Sequence, residues 1–582
     1  MKKLYLMLSM LFAFGAAANA IPAKKLQKVI TLTNGTQVSV ELRGDEYLSW
    51  WEGTDGTAYR ATADDTVFEA FDLEAQKPAA AARRARAEQG RVARLARVKN
   101  SLKGADDKMR GLGGDHITYK GVKKGLVVLV DFKNKKFADG HDLEYYKNVI
   151  NGKDFSDEEE GYVGSVRDYF LAQSNGQFEL DFDVVGPVTM SNNYGYYGGD
   201  GAYQKDEKVY EMIKEACDGI QDKVNLKDYD WDGDGEADQV FFLYAGLGQA
   251  SGGSAGTIWP HESELRYWPC GVLSYSTGKI NTYACANELQ PETQGSSRYI
   301  SAGIGTICHE FSHCLGFADM YDTTGGGGYG MSVFDVMDQG SYNGNGFVPC
   351  NYTAFERIYA GWVEPIELID PATVKDMKSV SDYGRPFIMY NYKNTNEYFL
   401  MENRQNTGWD EGLYGSNGLL IVHVNYVPSR WANNSVNSSA EKIQCCTVVN
   451  ADGSRENTQY SLQGDLYPYE VKGVTMNDEF TDESEPAAKL YTKNSDNSYA
   501  LGIPITNIKR SKGSVSFLVC GGDANNVIDN TFNGVVDGIN GVTVAKKATD
   551  NRIYSIDGRY LGTDASALGK GIYVVGGKKI VK

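Results

Sequence analysis

The spacing of apolar and polar residues divides the chain into regions of different predicted structure. Residues 24–72 alternate apolar and polar positions between Asn-Gly, Gly-Asp and Asp-Gly turns, which predicts a small β unit. An apolar run over 126–130 and alternation over 178–185 predict strands, and helical spacing predicts helices over 162–174 and 207–220. This part of the chain is therefore predicted to be a mixed α/β (α+β) layer structure.

The second half of the chain has a different pattern. After Trp362 the helical signals fade, and short apolar runs stand between clusters of Gly, Asn and Ser. A stretch rich in Gly, Asn and Asp over 521–541 separates a last group of short apolar runs. We therefore expect a multidomain chain in which the α/β part is followed by β-sandwich domains, since 582 residues are too many for one compact core.

The first twenty residues have the composition of an export signal. Lys2 and Lys3 precede an apolar run over 4–18, and Ala18-Asn19-Ala20 fits a signal cleavage site. The run is too short to cross a bilayer, and no later apolar stretch reaches about 18 residues. The sequence therefore predicts a signal peptide at 1–20, no transmembrane span, and a secreted or cell-surface protein.

The charge of the chain excludes one class of partner. With 58 basic and 76 acidic residues the net charge is -18, so the surface repels phosphate backbones and nucleic acid is not an expected partner. Basic residues concentrate over 73–110, in a segment of helical composition. This segment is either a solvated helix or part of a cleavable tether that ends a propeptide at 21–116.

The strongest chemical signal is the segment His309-Glu310-Phe311-Ser312-His313. Residues four apart on a helix share a face, so the two imidazoles can bind one zinc ion, with Glu310 beside the open coordination position. Gly316 ends the helix, and Asp319 can turn back as the third ligand of a catalytic site. Asp322 is the alternative third ligand, and two hydrogen-bonded surface histidines are the alternative to a metal site.

Such an arrangement is suited to the hydrolysis of amides. Zinc lowers the pKa of a bound water to about 7, which provides a nucleophile at neutral pH. Glu310 then acts as the general base and returns the proton to the leaving amine. We therefore predict a zinc-dependent endopeptidase that acts on protein or peptide substrates.

A second metal site is predicted in the acidic turn at 230–238. Asp230, Asp232, Asp234 and Asp238 are spaced as a calcium loop requires to direct several oxygens at one cation. The twelfth position from the first aspartate is not the glutamate of an EF-hand, so other residues must complete the ligand set. Calcium here is expected to stiffen the structure, and a solvated acidic turn is the alternative.

Nine cysteines in an exported chain predict disulfides, although the odd number leaves at least one thiol over. A two-residue turn at Thr277-Gly278 places Cys270 opposite Cys285 on paired strands, which predicts a disulfide between them. Cys308 and Cys314 lie on different faces of the predicted zinc helix, so they cannot pair with each other. We expect these two to be buried thiols or partners of cysteines elsewhere.

The pattern His309-Glu310-x-x-His313-x-x-Gly316-x-x-Asp319-x-Tyr321-Asp322 resembles the motif of the immune inhibitor A family of secreted metalloendopeptidases, which is related to the metzincins. Ile258-Trp259-Pro260-His261 and Phe334-Asp335-Val336-Met337-Asp338 extend the likeness. The resemblance implies a zincin-like or metzincin-like catalytic domain at 117–364, which contains an active-site helix. It also implies a β-rich domain at 365–520. On the same resemblance, Met337 forms a methionine turn beneath the zinc.

The resemblance further implies a latent precursor, whose propeptide occupies the cleft until an activating protease removes it. Residues 21–116 contain no cysteine that could bind the zinc, so a carboxylate such as Asp45 is the candidate for that role.

The last segment, 521–582, contains runs that resemble the C-terminal sorting domains of Bacteroidetes secretion. These are Ile553-Tyr554-Ser555-Ile556-Asp557-Gly558-Arg559 and Gly571-Ile572-Tyr573-Val574-Val575. The resemblance implies secretion machinery as a partner, and an ordinary terminal β-sandwich is the alternative.

Two other functions stay open on the sequence alone: a surface binding or adhesion protein on a decayed protease scaffold, and a zinc amidase of peptidoglycan. An intact Glu310 with both histidines favours the peptidase, because a binding protein has no physical need for a catalytic base.

Overall fold

The structure is a computed structural model that describes residues 18–19, 21–63, 65–101, 119–200, 206–293, 296–324, 328–413, 417–438, 443–455, 461–532 and 534, and four short strands after residue 552. The described residues form two compact units. The first lies within Met1–Arg94, Gly125–Leu143 and Val184–Ser301, and the second within Leu95–Lys124, Glu144–Asp183 and Ala302–Lys582. The predicted catalytic region at 117–364 is therefore divided between the two units.

The N-terminal β unit is a closed barrel of five strands, β2 to β6. Its elements and their neighbours are β1 (Ala18–Asn19), β2 (Gln27–Leu32), β3 (Gln37–Gly44), β4 (Ser49–Gly53), β5 (Ala58–Ala61), β6 (Val67–Ala70) and α1 (Leu73–Ser101). Ile30, Val40, Tyr59 and Phe68 form the core of the barrel, because alternate positions on each strand face inward. The helix predicted for the basic segment extends to Ser101.

The α/β region contains a mixed central sheet. Its elements are β7 (Gly121–Asp131), α2 (Leu143–Asn151), α3 (Val166–Gln173), β8 (Phe178–Thr189), α4 (Tyr194–Tyr197), α5 (Val209–Ile220), β9 (Glu236–Ala237), β10 (Val240–Leu247), β11 (His261–Glu264), β12 (Leu273–Tyr275), β13 (Gly278–Ile280), β14 (Thr282–Pro291) and β15 (Tyr299–Ser301). The strand order is β1-β11-β14-β10-β7-β8, with β15 paired to β14. Strand β10 runs parallel to β7 and β14, whereas β11 is antiparallel to β14.

The apolar run predicted as a buried strand lies in β7, in the middle of this sheet. Its residues at 126–130 are all buried, as expected for a strand that is covered on both faces. Helix α5 presents Val209, Met212 and Ile213 to the same core. The predicted helices and strands of this region are therefore present, with ends that differ by a few residues.

The prediction of a disulfide between Cys270 and Cys285 is wrong, and no such bond joins these two described residues. The hairpin pairs Leu273 with Ile280 and turns one residue earlier than the sequence suggests. After Ile280 the chain leaves the hairpin and enters β14 of the central sheet, where Cys285 lies opposite His261. The prediction is wrong because it continues the strand pairing of the hairpin past Ile280, where the hairpin ends.

The second unit contains the helix of the predicted zinc motif and a β region. Helices α6 (Gly305–Cys314) and α7 (Ala354–Tyr359) lie in this unit before the β region. The elements that follow are β16 (Ile366–Glu367), β17 (Ala372–Met377), β18 (Phe387–Tyr390), β19 (Glu397–Arg404), β20 (Gly418–Asn425), α8 (Pro428–Ala432), β21 (Cys446–Val448), β22 (Tyr469–Val471), β23 (Val474–Asn477), β24 (Ile505–Ser511), β25 (Ser514–Val519) and β26 (Val527–Ile528).

Two sheets of the β region share one core. One has the order β16-β18-β19-β20-β21 and the other β24-β25-β17-β26. Buried residues of both sheets belong to the same apolar cluster, in which the rings of Phe387 and Phe517 lie 5.7 Å apart edge to face. The arrangement agrees with the β-sandwich expected for this part of the chain.

The described residues after 552 are four strands: β27 (Ile553–Ser555), β28 (Tyr560–Gly562), β29 (Ile572–Val575) and β30 (Lys578–Val581). They form one sheet in the order β28-β27-β29-β30. None of the helices that the structure describes is long and apolar enough to cross a membrane. Residues 1–17 and 20 of the predicted signal peptide lie outside the described residues.

Candidate metal centre

Helix α6 carries the predicted zinc motif and is fully buried. On the face away from the histidines, Phe311 packs against Phe170 and Phe182, with ring centroids 5.0 and 5.6 Å apart. The helix ends where Gly316 adopts a φ of 89°, a left-handed conformation that glycine takes without strain. Tyr119 donates a hydrogen bond from its hydroxyl to the carbonyl oxygen of Leu315 at 2.8 Å, which holds the end of the helix in place.

The structure brings His309, His313 and Asp319 together. Nε2 of His309 lies 3.2 Å from Oδ1 of Asp319, and Nε2 of His313 lies 3.3 Å from the same oxygen. The three side chains are at most 1% exposed. They form one of the two groups of potential metal ligands found within the described part of the chain. One oxygen and two nitrogens therefore converge on a single buried point.

The hydrogen bonds of the two imidazoles indicate what kind of group that point can hold. Nδ1 of His309 is 2.8 Å from the carbonyl oxygen of Val336, and Nδ1 of His313 is 2.9 Å from that of Phe317. A carbonyl oxygen only accepts, so each Nδ1 carries the proton and each neutral ring directs the lone pair of Nε2 at the Asp319 carboxylate.

Lone pairs that face a carboxylate oxygen require a cation or additional protons between them. Additional protons would give two buried positive rings whose centroids are only 4.9 Å apart, which is unfavourable. A divalent metal ion satisfies all three groups, and two imidazoles with one carboxylate are a common zinc ligand set. The residues therefore fit the metal that the motif implies.

The two candidate aspartates have different environments. Burial by itself raises the pKa of Asp319, but the two imidazoles that face its carboxylate outweigh burial and lower the pKa below its ordinary value. The carboxylate of Asp322 instead accepts hydrogen bonds from its own loop, from the backbone N–H of Thr324 at 2.9 Å and of Gly328 at 3.0 Å. Only Asp319 joins the two histidines.

Glu310 follows the first histidine on α6 and is also buried. The side chain of Tyr342, in the loop 339–346 against the start of the helix, is close enough to feel its charge. Burial and the charge of Glu310 raise the pKa of Tyr342 well above its ordinary value. The Tyr342 hydroxyl therefore keeps its proton, and the sequence did not indicate that the charge of Glu310 acts on this residue.

The turn that contains Met337 contacts the metal ligands through its backbone. The carbonyl oxygen of Val336 accepts the bond from His309, and that of Met337 accepts a bond from the N–H of Met320 at 2.9 Å. Met337 itself is fully buried. The turn therefore connects the first histidine to the loop that carries Asp319.

One contact of the ligand set was not predicted. Asn434, which follows α8 in the β region, accepts a hydrogen bond from the N–H of Asp319 at 2.6 Å and donates one to its Oδ2 at 2.5 Å. The two residues are 115 positions apart, and no sequence pattern links them.

The acidic turn at 230–238 brings three of its four aspartates together. Asp230, Asp232 and Asp238 form the second group of potential metal ligands in the described residues, and Asp234 is not part of it. Asp230 accepts from the backbone N–H of Gly233 at 2.7 Å and of Gly235 at 2.9 Å, which folds the loop. Burial, together with the charges of the neighbouring carboxylates, raises the pKa of Asp238 to about 7.

Two other histidines, His261 and His423, have structural partners. His261 is 2.7 Å from the carbonyl oxygen of Trp259 through Nδ1 and 2.9 Å from the hydroxyl of Tyr283 through Nε2. Burial lowers the pKa of His261 to about 4, so the ring is neutral. His423 stacks on Phe399 with ring centroids 4.3 Å apart. Neither belongs to a metal-ligand group among the described residues.

Comparison with known proteins gives a consistent picture of this region. Residues 120–363 match the immune inhibitor A peptidase M6 catalytic domain. The chain is 28% identical over 269 residues to the pre-pro-metalloprotease PrtV of Vibrio cholerae serotype O1, which covers 39% of the chain and 28% of that protein. It is 27% identical over 319 residues to immune inhibitor A of Bacillus thuringiensis subsp. alesti, which covers 45% of each protein. The chain thus spans less than half the length of these curated relatives.

The matched region contains all the groups that converge at the metal centre except Asn434. These include both histidines and Asp319 on and after α6, and the turn with Met337. Residues 120–363 of the chain are therefore similar to the catalytic domain of the immune inhibitor A peptidase M6 family.

Proposed function

We propose that this chain is a secreted zinc-dependent endopeptidase, made as a latent precursor. The observation that carries the proposal is the convergence of His309 and His313 with Asp319, with Glu310 on the same helix. Three protein ligands and one open position are typical of catalytic zinc sites, whereas structural sites close with four protein ligands.

The residues of the chain have distinct roles in this mechanism. When bound, zinc supplies a water acidified to a pKa of about 7 and positive charge for the carbonyl oxygen of the substrate. His309, His313 and Asp319 hold the ion, and the carbonyl oxygens of Val336 and Phe317 fix the tautomers of the two imidazoles. Glu310 accepts a proton at its carboxylate and returns it to the leaving amine.

The N-terminal barrel is proposed to be the propeptide. It has its own apolar core, and a relative of the chain is named a pre-pro-metalloprotease. Asp45 forms an ion pair with Arg84 and accepts a hydrogen bond from the N–H of Tyr47 at 2.9 Å. The carboxylate is thus engaged inside the barrel region, so another residue is the better candidate for latency.

The segment after the barrel supports a role in activation. Arg84 contacts Asp45, and Arg83 donates to the carbonyl oxygen of Tyr47 at 2.5 Å, so the start of α1 is bound to the barrel region rather than fully solvated. The basic residues farther along the segment are candidate sites for an activating protease. The strands at 553–581 are proposed to serve secretion, on the resemblance to sorting domains.

Calcium is proposed as a second, structural metal at the loop 230–238. Three aspartates already converge there, and a divalent cation would offset both the burial and the mutual repulsion that raise the pKa of Asp238. The loop is in the first unit and the zinc ligands are in the second, so calcium is assigned no part in the chemistry.

The test of the proposed function combines activation with removal of the metal. The purified precursor is treated briefly with trypsin, the trypsin is inhibited, and hydrolysis of casein is measured before and after addition of phenanthroline. We expect activity only after cleavage, its loss with the chelator, and its recovery with zinc.

Variants of the two aspartates make the assignment specific. We expect Asp319→Ala to lose both zinc and activity, and Asp322→Ala to keep both, because the Asp322 carboxylate is engaged with its own loop. If Asp322→Ala lost zinc while Asp319→Ala kept it, the assignment of Asp319 as the third ligand would be wrong. Activity that survives complete removal of zinc would contradict the proposed function.

A further inference from the structure

The loop that carries the third metal ligand is held by residues far outside the family-matched region. Asp319 lies in an irregular segment between the end of α6 and the turn with Met337, so nothing in the regular structure fixes its side chain. We propose that Asn434 is a positioning residue for Asp319, and that residues 434–438, here called the clamp segment, complete the metal site. The proposal rests on the proposed function, because it assumes that Asp319 binds the metal.

The side chain of Asn434 contacts Asp319 at two points, one on the backbone and one on the carboxylate. Oδ1 of Asn434 accepts from the backbone N–H of Asp319 at 2.6 Å, and Nδ2 donates to Oδ2 of the same residue at 2.5 Å. With Oδ2 and the backbone of Asp319 both held, the other carboxylate oxygen is directed at the two histidines. Such bonds to a ligating carboxylate orient it and adjust its affinity for the metal.

The backbone at Asn434 is suited to this role. Its φ is 50°, a left-handed conformation that asparagine adopts more readily than most residues other than glycine. Asn434 is 6% exposed, so water could not replace the hydrogen-bond partners of its side-chain amide if they were removed.

Two further residues of the clamp segment bind the same loop. Nδ2 of Asn437 donates to the carbonyl oxygen of Met320 at 2.6 Å, and Oγ of Ser438 accepts from the N–H of Thr323 at 2.8 Å. The loop from Asp319 to Thr323 is therefore bound at three points by a segment of five residues.

The clamp segment is itself fixed to the β region. Nδ2 of Asn437 also donates to the carbonyl oxygen of Cys446 in β21 at 2.6 Å, and its Oδ1 accepts from the N–H of the same residue at 3.0 Å. Arg430 of α8 donates to the carbonyl oxygen of Ser438 at 2.6 Å. A rigid β scaffold thus determines the position of a metal ligand that belongs to the catalytic domain.

The test measures the affinity of the full chain for zinc by competition with a chelator. Asn434→Gly removes both hydrogen bonds to Asp319 and keeps the left-handed backbone without strain. We expect its affinity for zinc to fall by about 10- to 100-fold, the range observed when partners of metal ligands are removed. The matched control is Asn497→Gly, because Asn497 is an exposed asparagine of the β region with a φ of 66°.

A spectroscopic measurement separates positioning from general stability. In the cobalt-substituted protein, visible absorption reports the coordination of the ion, and we expect Asn434→Gly to change the spectrum while Asn497→Gly leaves it unchanged. If the metal-free Asn434→Gly chain unfolds at a lower temperature than the control, Asn434→Asp replaces it. That variant keeps the acceptor for the Asp319 N–H and places a carboxylate oxygen against Oδ2, so weaker binding of zinc is again expected.

The outcomes distinguish this inference from the proposed function. Weaker zinc binding with an altered cobalt spectrum supports the clamp. Equal zinc affinities in wild type, Asn434→Gly and Asn434→Asp would overturn the inference and leave the proposed function intact. A wild-type chain that binds no zinc would overturn the proposed function and the inference together.

Discussion

Arg404 offers a quantitative test of how the β region supports the metal site. Its side chain is fully buried and donates two hydrogen bonds to Asp410, at 2.7 and 2.6 Å. It donates a third to Glu402 at 3.0 Å and a fourth to the carbonyl oxygen of Phe334 at 2.9 Å. Phe334 immediately precedes the turn that binds the metal ligands, so Arg404 links β19 to that turn.

The perturbation is Arg404→Met, which keeps the length of the side chain and removes its charge. Asp410 and Glu402 then remain buried without this cation, and breaking a buried ion pair in this way costs about 3 to 5 kcal/mol. Arg357 also acts on the charge of Glu402, so we expect a loss near the lower limit, about 3 kcal/mol or roughly a 150-fold shift in the opening equilibrium.

The assay is hydrogen exchange of the backbone amides of β19, in a Glu310→Ala background that prevents self-cleavage. Local exchange is preferred because a multidomain chain does not unfold in one transition. The control is Arg510→Met, whose ion pair with Glu470 is partly exposed and is expected to contribute less than about 1 kcal/mol. If Arg404→Met lost no more stability than Arg510→Met, the buried ion pairs of Arg404 would not stabilise β19 as expected.

The loss of stability in Arg404→Met should also depend on pH. Burial raises the pKa of Glu402, and removal of Arg404 removes a charge that lowers it. A carboxyl whose folded-state pKa lies above its unfolded value stabilises the fold at low pH, and this stabilisation is lost as the pH rises through the folded-state pKa. The difference between Arg404→Met and wild type should therefore be smaller at about pH 5 than at about pH 8.

Three further predictions concern other parts of the molecule. A Cβ on Gly305 would lie 1.8 Å from a backbone oxygen, so Gly305→Ala should displace the start of α6 and abolish casein hydrolysis. Gly195 has an open environment, so Gly195→Ala should keep the activity. Calcium should raise the Tm of wild type, measured by calorimetry, and have less effect on Asp238→Asn. Burial raises the pKa of Glu356 from 4.5 to about 7 beside Asp335, so the Tm of wild type should fall between about pH 4.5 and 7 relative to Glu356→Gln; parallel curves would contradict this.

The metal-binding helix could be predicted from the sequence because its determinants are local. The spacing of His309 and His313 and the helix-ending glycine at 316 all lie within two turns, and Asp319 follows by a short loop. The structure has the same helix and brings the same three side chains together.

Asn434 could not be predicted in the same way. Its partner is 115 residues away, and an asparagine after a short helix has the pattern of any turn. Only the packing of the β region against the ligand loop gives it a role, and one sequence does not reveal that packing.

The disulfide prediction failed for a related reason. The turn between β12 and β13 was placed one residue too late, and a hairpin register that is off by one residue changes every pairing beyond it. Cys285 lies in β14 of the central sheet, where its neighbours are determined by long-range pairing with β10 and β11. Local turn signals do not report where a strand changes sheets.

The most direct test of the central claim compares the activated wild type with Glu310→Gln, which keeps the size of the side chain and removes its basicity. Casein hydrolysis and zinc content are measured on the same samples. We expect both proteins to contain zinc and only the wild type to cleave casein. Cleavage of casein by zinc-loaded Glu310→Gln at the wild-type rate would contradict this expectation.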